Sequence, residues 1–91
     1  MLFEWEDEKD RINRRKHDMP LKAGISDFDD INAIEFEDNR YNYSEKRWVL
    51  IGHDSRTKLL CVVYTMKEVT RLISVRKAIK KERDLYYKGG Y

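Results

Sequence analysis

Two stretches of this chain concentrate the side chains that can handle a phosphodiester. The first holds Lys9, Asn13, Lys16 and His17. At 3.6 residues per turn these four fall on one helical face, with Trp5 leading into it. That face is open to two readings. It is either a solvated polar stripe or a place where amide, ammonium and imidazole meet a substrate phosphate. In the second case His17 is the group able to exchange a proton near neutral pH. The second stretch, RLISVRKAIKKERDLYY, runs from Arg71 to Tyr87. It starts as a strand over residues 69–73 and turns helical over residues 77–87. Ser74, Arg76 and Lys77 fall at the changeover, a hydroxyl and two cations where unpaired N–H groups already carry partial positive charge. A bound anion such as phosphate would turn that repulsion into attraction. The alternative is that both cations swing into solvent.

Farther along the same helix, Ala78, Glu82 and Tyr86 are spaced four apart and share a face. Ala78 and Glu82 read as structural support, through core packing and an ion pair that holds an arginine in place. Tyr86 offers a hydroxyl or a stacking surface. Tyr41 and Tyr43, in the polar loop of residues 37–46, are further candidates for stacking on bases. Other chemistries find no foothold. One cysteine and two separated histidines, His17 and His53, give no ligand set with zinc-site spacing. The acidic pairs Asp29-Asp30 and Glu35/Glu37 read as a cap and as strand alternation. GxGxxG, P-loop and GxSxG patterns are lacking, so no cofactor is expected.

Ninety-one residues, 41% apolar and 40% charged, specify one small domain over 1–91 with a modest core and a heavily ionised surface. The net charge of +2 conceals an asymmetry: residues 1–46 carry 8 Lys/Arg against 13 Asp/Glu, residues 47–91 carry 11 against 4. A basic second half suits a polyanion-facing side, unless the halves interleave in space and cancel. Cys61 sits in the apolar run LLCVVY and reads as a buried thiol. That run of six residues is the longest apolar one, far short of a membrane span. The acidic N-terminus has no apolar signal region, so the cytoplasm is expected.

The elements that must position these residues follow from pattern. Residues 2–5 form a strand or lead-in. Acids at Glu6, Asp7 and Glu8 and cations at Arg14, Arg15, Lys16 and His17 bracket a helix, which Asp18-Met19-Pro20 ends. Ser26 reads as the N-cap of a second, two-turn helix carrying Phe28, Ile31 and Ile34, giving way to a strand at residues 33–36. Residues 47–53, 59–65 and 69–74 read as a three-stranded antiparallel meander closed by the final helix. The fold class is α+β: an antiparallel sheet with one or two N-terminal helices and a C-terminal helix packed on it.

FEWEDEKDRINRRKH resembles the F-x-W-D-x-x-K-x-x-x-N-x-x-K-H opening of the BrnT family of toxins. RLISVRKAIKKERDLYY is similar to that family's R-I-I-S-A-R-x-A-x-x-x-E-x-x-x-Y ending, and RWVLIG and TKLLCVVYT fit its central hairpin. Glu6 replaces an aspartate, Val75 an alanine, and Asp18-Met19-Pro20 a glycine-containing turn. The resemblance implies a RelE-like ribonuclease toxin of a type II toxin–antitoxin system that cuts RNA without a metal and stops translation. It further implies a BrnA-like ribbon-helix-helix antitoxin, a 2:2 heterotetramer, and operator DNA bound only through the antitoxin. For that chemistry Arg71 and Arg76 are the candidates for stabilising phosphorane charge and His17 for acid/base catalysis. Lys9, Lys16, Ser74, Lys77 and Tyr86 are the candidates for binding RNA, with Tyr86 or Tyr87 to stack a base or position a group, and Trp5, Asn13, Ala78 and Glu82 for structural support. Ser74 stays open between cap and catalyst. A non-catalytic RNA- or protein-binding module is the alternative, and a metal-dependent nuclease built on the acidic clusters a third. The catalytic reading requires His17 and Arg76, far apart in sequence, to converge.

Overall fold

In strand β4 (Leu59–Met66) successive side chains are buried on both faces, which requires a neighbouring strand on each side and a packed layer above and below. A computed structural model, which describes residues 2–40 and 44–89, supplies both. β3 (Trp48–His53) pairs with β4 as an antiparallel hairpin, and β5 (Thr70–Lys77) pairs antiparallel on its other side. β2 (Ile34–Glu37) extends the sheet beyond β3, and β1 (Phe3–Glu4) lies parallel to the start of β5. The order is β1-β5-β4-β3-β2. The expected α+β class holds and the expected antiparallel meander is there as β3-β4-β5; among the described residues β2 and β1 extend it to five strands, and the parallel pairing of β1 makes the sheet mixed. The strand or lead-in expected over residues 2–5 is β1, though so short a run does not announce its parallel pairing with β5.

One sheet face buries Leu50, Leu60, Val62, Tyr64, Leu72 and Val75 beneath a 3-10 segment (Leu21–Asp29), with Phe3, Trp5 and Phe28 packed at its margin. Gly24 permits that close approach, since a Cβ there would lie 2.8 Å from Val75 Cγ2 and 2.9 Å from Val62 Cγ2. The two-turn helix expected around Ser26 is therefore replaced. The 3-10 segment ends at Asp29, Ser26 lies inside it, Ile31 is 96% exposed and Ile34 belongs to β2. Asp30, in extended conformation, breaks the helical run and turns its carboxylate to accept the Asn32 and His53 N–H groups.

The opposite face carries Val49, Ile51, Cys61, Ala78 and Tyr86, partly covered by α2 (Lys80–Tyr87). Here the expected boundary moves. β5 continues through Arg76 and Lys77, paired with Cys61 and Leu60, and Ala78 N–H still bonds the Leu59 carbonyl at 2.9 Å. Cross-strand pairing overrides the local helical preference of the lysine-rich run. Arg76 and Lys77 consequently do not stand at a helix N-terminus, Ser74 is not a cap, and Ala78 precedes α2 rather than sharing its face. The N-terminus of α2 is satisfied internally, Glu82 Oε1 accepting the Ile79 N–H at 2.9 Å.

Helix α1 (Asp7–His17) has acids in its first turn and cations in its last, as its sequence demanded. It lies along the edge of β5 that β1 leaves uncovered. Backbone groups there would be orphaned, and Asn13 takes the part of a neighbouring strand. Its Oδ1 accepts from Val75 N–H at 3.0 Å, while its Nδ2 donates to the Val75 and Met19 carbonyls at 2.9 Å each. The polar stripe of α1 thus turns toward the protein at Asn13, the one buried residue of the helix, while Ile12 is exposed.

Candidate active site

Arg76 is fixed from two elements. Its Nη1 and Nη2 donate to Glu82 Oε1 and Oε2 at 2.8 and 2.7 Å, and Nη1 also reaches the Lys77 carbonyl at 3.2 Å. A fork-to-fork pair of this kind fixes direction as well as distance. The Arg76 side chain remains 31% exposed against 13% for Glu82. Of a guanidinium's five N–H donors, the three contacts leave about two for a ligand. Burial pushes the Glu82 carboxyl up, but the Arg76 and Ile79 hydrogen bonds outweigh it and the net shift is downward. The same Glu82 bonds hold Arg76 above its ordinary value.

His17 ends α1, half-buried, one turn past Asn13, which bonds the β5 edge at Val75, the neighbour of Arg76. Partial burial lowers its pKa first, then the charge of Arg76, then that of Lys16. Two consequences follow. Arg76 is near enough to His17 for its charge to be felt there, and the imidazole is predominantly neutral at pH 7, since even the unshifted value is 6.5. Asp18, left-handed at φ 56° with its N–H on the Arg14 carbonyl, closes the helix directly after His17. The turn that replaces the expected glycine therefore still terminates α1 there.

The remaining candidates divide between this locus and elsewhere. Lys16 and Lys77 are exposed beside His17 and Arg76 in the chain, and Lys9 is half-buried two turns up α1. A bulge at Ile73, where the register passes from Val63–Ser74 to Tyr64–Leu72, sets Arg71, Ser74 and Arg76 on one sheet face despite their uneven spacing. Arg71 nevertheless lies roughly 15 Å up the strand from Arg76 by strand rise. It pairs there with Glu4 at 2.7 Å and shares a cleft with Glu45 and Glu68. Arg71 is thus not brought together with Arg76 and His17. Tyr86 is 8% exposed and gives its hydroxyl hydrogen to Asp30 at 2.6 Å, so it offers no free stacking surface. Trp5, Asn13, Ala78 and Glu82 all sit in supporting positions. Tyr41 and Tyr43 lie outside the described residues.

A cleft of about 430 Å³ opens in front of Arg76, lined by Phe36, Val49, Val63, Ile79 and Leu85 among others. Cys61 borders it, but burial drives the thiol up to about 12, which removes it as a nucleophile. Among the described residues no group of three His, Cys, Asp or Glu converges as metal ligands would. Sequence reasoning set His53 aside once zinc was rejected. It lies against Tyr86 and Asp30 at the far end of α2, and only its position on the same strand parity as Val49 and Ile51 could have signalled this face.

The model of the family described as the ribonuclease toxin, BrnT, of a type II toxin–antitoxin system matches residues 5–82. Among solved structures, the chain is similar to the ribonuclease toxin BrnT of Brucella abortus. The TM-score is 0.60 at 19% identity, over 88% of this chain and 100% of that one, a likeness of fold. No curated protein matches the chain at a comparable level.

Proposed function

The chain belongs to the BrnT family of ribonuclease toxins of type II toxin–antitoxin systems, and from that premise we propose that it cuts RNA internally, without a metal ion, and so stops translation in the cytoplasm. The observation that carries the reading is the approach of a neutral imidazole, His17, to a guanidinium locked by Glu82 with donors to spare.

The nucleophile is the substrate's own 2′-hydroxyl. His17 takes its proton as the oxygen attacks the adjacent phosphorus; the P–O5′ bond breaks, and the leaving oxygen takes a proton from solvent. The products are a 2′,3′-cyclic phosphate and a 5′-hydroxyl. Charge gathered on the phosphorane is met by the free Arg76 donors and by Lys16 and Lys77, a preorganised arrangement of the sort that stabilises developing oxyanions. A bound phosphate beside His17 opposes the cations that depress its pKa, so the imidazolium formed in the reaction is stabilised by the substrate itself. Lys9 and Ser74 bind the approaching strand, and Arg71 holds a more distant phosphate rather than the reacting one. Tyr86 acts from below, through α2.

A toxin of this family works with an antitoxin. We take that partner to be BrnA-like, with a ribbon-helix-helix part, forming a 2:2 complex that binds operator DNA through the antitoxin alone. The decisive experiment incubates the purified chain with RNA in EDTA and identifies the ends. Cyclic phosphate termini, lost in His17→Ala and Arg76→Ala variants that still fold, are the expected result. Abolition of cutting by EDTA, or binding with no cutting, defeats the mechanism.

A further inference from the structure

Beyond the Arg76 locus, α2 makes a second attachment to the sheet. Tyr86 gives its hydroxyl hydrogen to Asp30 Oδ2 at 2.6 Å, and the Tyr86 hydroxyl oxygen itself stands 3.0 Å from His53 Nδ1. A hydroxyl that has donated its one hydrogen can only accept, so Nδ1 of His53 carries the proton facing it. In the neutral ring Nε2 is then the acceptor. Asp30 also holds the His53 backbone N–H at 2.8 Å, which ties this strand end to the carboxylate that Tyr86 bonds. The Tyr86 hydroxyl therefore chooses the tautomer, and Nε2, on the outward side of the ring, accepts only the long 3.3 Å bond from the Tyr87 hydroxyl.

Beside that nitrogen stands Tyr87. Its ring is 69% exposed, its centroid lies 6.1 Å from that of His53, and its hydroxyl is 3.3 Å from Nε2. Tyr86 meets the Tyr87 ring edge-on at 5.2 Å and limits its tilt. An aromatic face this open, braced by a neighbour and set next to a fixed acceptor, has little structural purpose of its own. The location gives it one. Glu82, which holds Arg76, and Tyr86, which holds His53, are four residues apart on α2, about 6 Å of axial rise. On the sheet the two positions are two strands and two residues apart, roughly 12 Å. Both project to the same face. The interval is too long for one phosphate and suits a nucleotide adjoining the one held at Arg76.

We propose that Tyr87 and His53 form a nucleotide-binding subsite for single-stranded RNA, in which the Tyr87 ring stacks on a base and the 2′-hydroxyl of the same nucleotide replaces the long Tyr87 hydroxyl bond at His53 Nε2. The proposal rests on the ribonuclease reading and names a substrate contact that reading does not contain. Stacking on tyrosine is tolerant of base identity, whereas the 2′-hydroxyl contact distinguishes RNA from DNA away from the scissile bond.

The test uses single-stranded oligoribonucleotides, both cleavable and blocked by a 2′-deoxy residue at the cut site. Tyr87→Ala is expected to raise KM for the first and Kd for the second by roughly five- to one-hundred-fold, the range that base stacking on an aromatic supplies, with kcat unchanged. Tyr87→Phe should restore most of the loss. A single 2′-deoxy substitution scanned across the flanking nucleotides should weaken binding at one position in the wild type and at none in His53→Ala. Tyr87 is a surface residue, so its variants report binding without a folding defect. Unchanged KM and Kd in Tyr87→Ala, or the same deoxy penalty in His53→Ala as in wild type, overturns the subsite. A wild type that binds the cleavable oligonucleotide without cutting it defeats the ribonuclease reading instead, and the Kd comparison still decides the subsite.

Discussion

Replacing Glu82 by Gln keeps the shape of the side chain and removes its charge. Gln has one acceptor oxygen for three N–H groups that now converge on the carboxylate, two from Arg76 and one from Ile79. Its amide nitrogen must also face a guanidinium N–H, donor against donor. Fully exposed ion pairs are worth about 0.2–1 kcal/mol, and breaking a fully buried one costs about 3–5 kcal/mol. With side-chain exposures of 31% and 13% the pair stands between these limits. A loss of about 2 kcal/mol is expected, which for a domain of this size lowers Tm by roughly 8–16 °C. The pH dependence has a definite sign. The folded Glu82 carboxyl titrates below its ordinary 4.5, so its stabilisation is present above that value and disappears as pH falls through the folded pKa. The gap between wild type and Glu82→Gln should accordingly be full at pH 7 and close in acid. Thermal unfolding followed by circular dichroism from pH 7 down to about 3 reads both features. Cleavage should fall as well, chiefly in kcat, because the variant still has Arg76 but no longer aims it. A Tm shift under about 2 °C at neutral pH, or a gap that does not narrow in acid, refutes the clamp as described.

Four further outcomes bear on other parts of the molecule. In NMR titrations His17 should titrate below 6.5, and Arg76→Gln should move it upward without returning it fully, since burial is the larger cause; an unmoved His17 would separate the two residues. For the same reason the acid limb of cleavage should fall below pH 6.5, because a base must be neutral to work. Asn13→Ala strands the Val75 N–H and C=O at a buried edge and should cost about 3 kcal/mol, measured by urea unfolding; a loss below about 1 kcal/mol would mean that the edge is satisfied otherwise. Asp27 is fully buried, with neither carboxylate oxygen hydrogen-bonded among the described residues, and burial raises its pKa from 3.8 to about 8. The folded state keeps a proton that the unfolded state releases, so stability declines as pH rises across that window. Asp27→Asn should flatten the decline in Tm between pH 4 and 8, and an equal slope in both proteins would show that another group causes it.

Local pattern settled those elements whose determinants are local. The charge gradient and the Asp18-Met19-Pro20 stop bound α1, and the apolar run around Cys61 marks the central strand, because caps, dipoles and alternation act within a few residues. It also named His17, Arg76 and Glu82, and the support role of Glu82. Where β5 would end was beyond it. VRKAIKKER has the composition of a helix, and only hydrogen bonds to Leu59, Leu60 and Cys61, which lie elsewhere in sequence, keep Arg76 and Lys77 extended. That single displacement dissolves the helix-terminus anion site. Glu82 supplies the carboxylate there, and Arg76 becomes a strand residue clamped across to the helix that follows. Asn13 shows the same division. Its place on a polar stripe was plain, but an amide can stand in for a missing strand only where β1 stops short and leaves an edge open. The sequence by itself determined which groups could act on a phosphate. Tertiary structure alone decided that the charge of Arg76 is felt at His17, that Arg71 pairs with Glu4 instead, and that Tyr87 rather than Tyr86 faces outward, because these are relations across strand pairs and around a sheet edge.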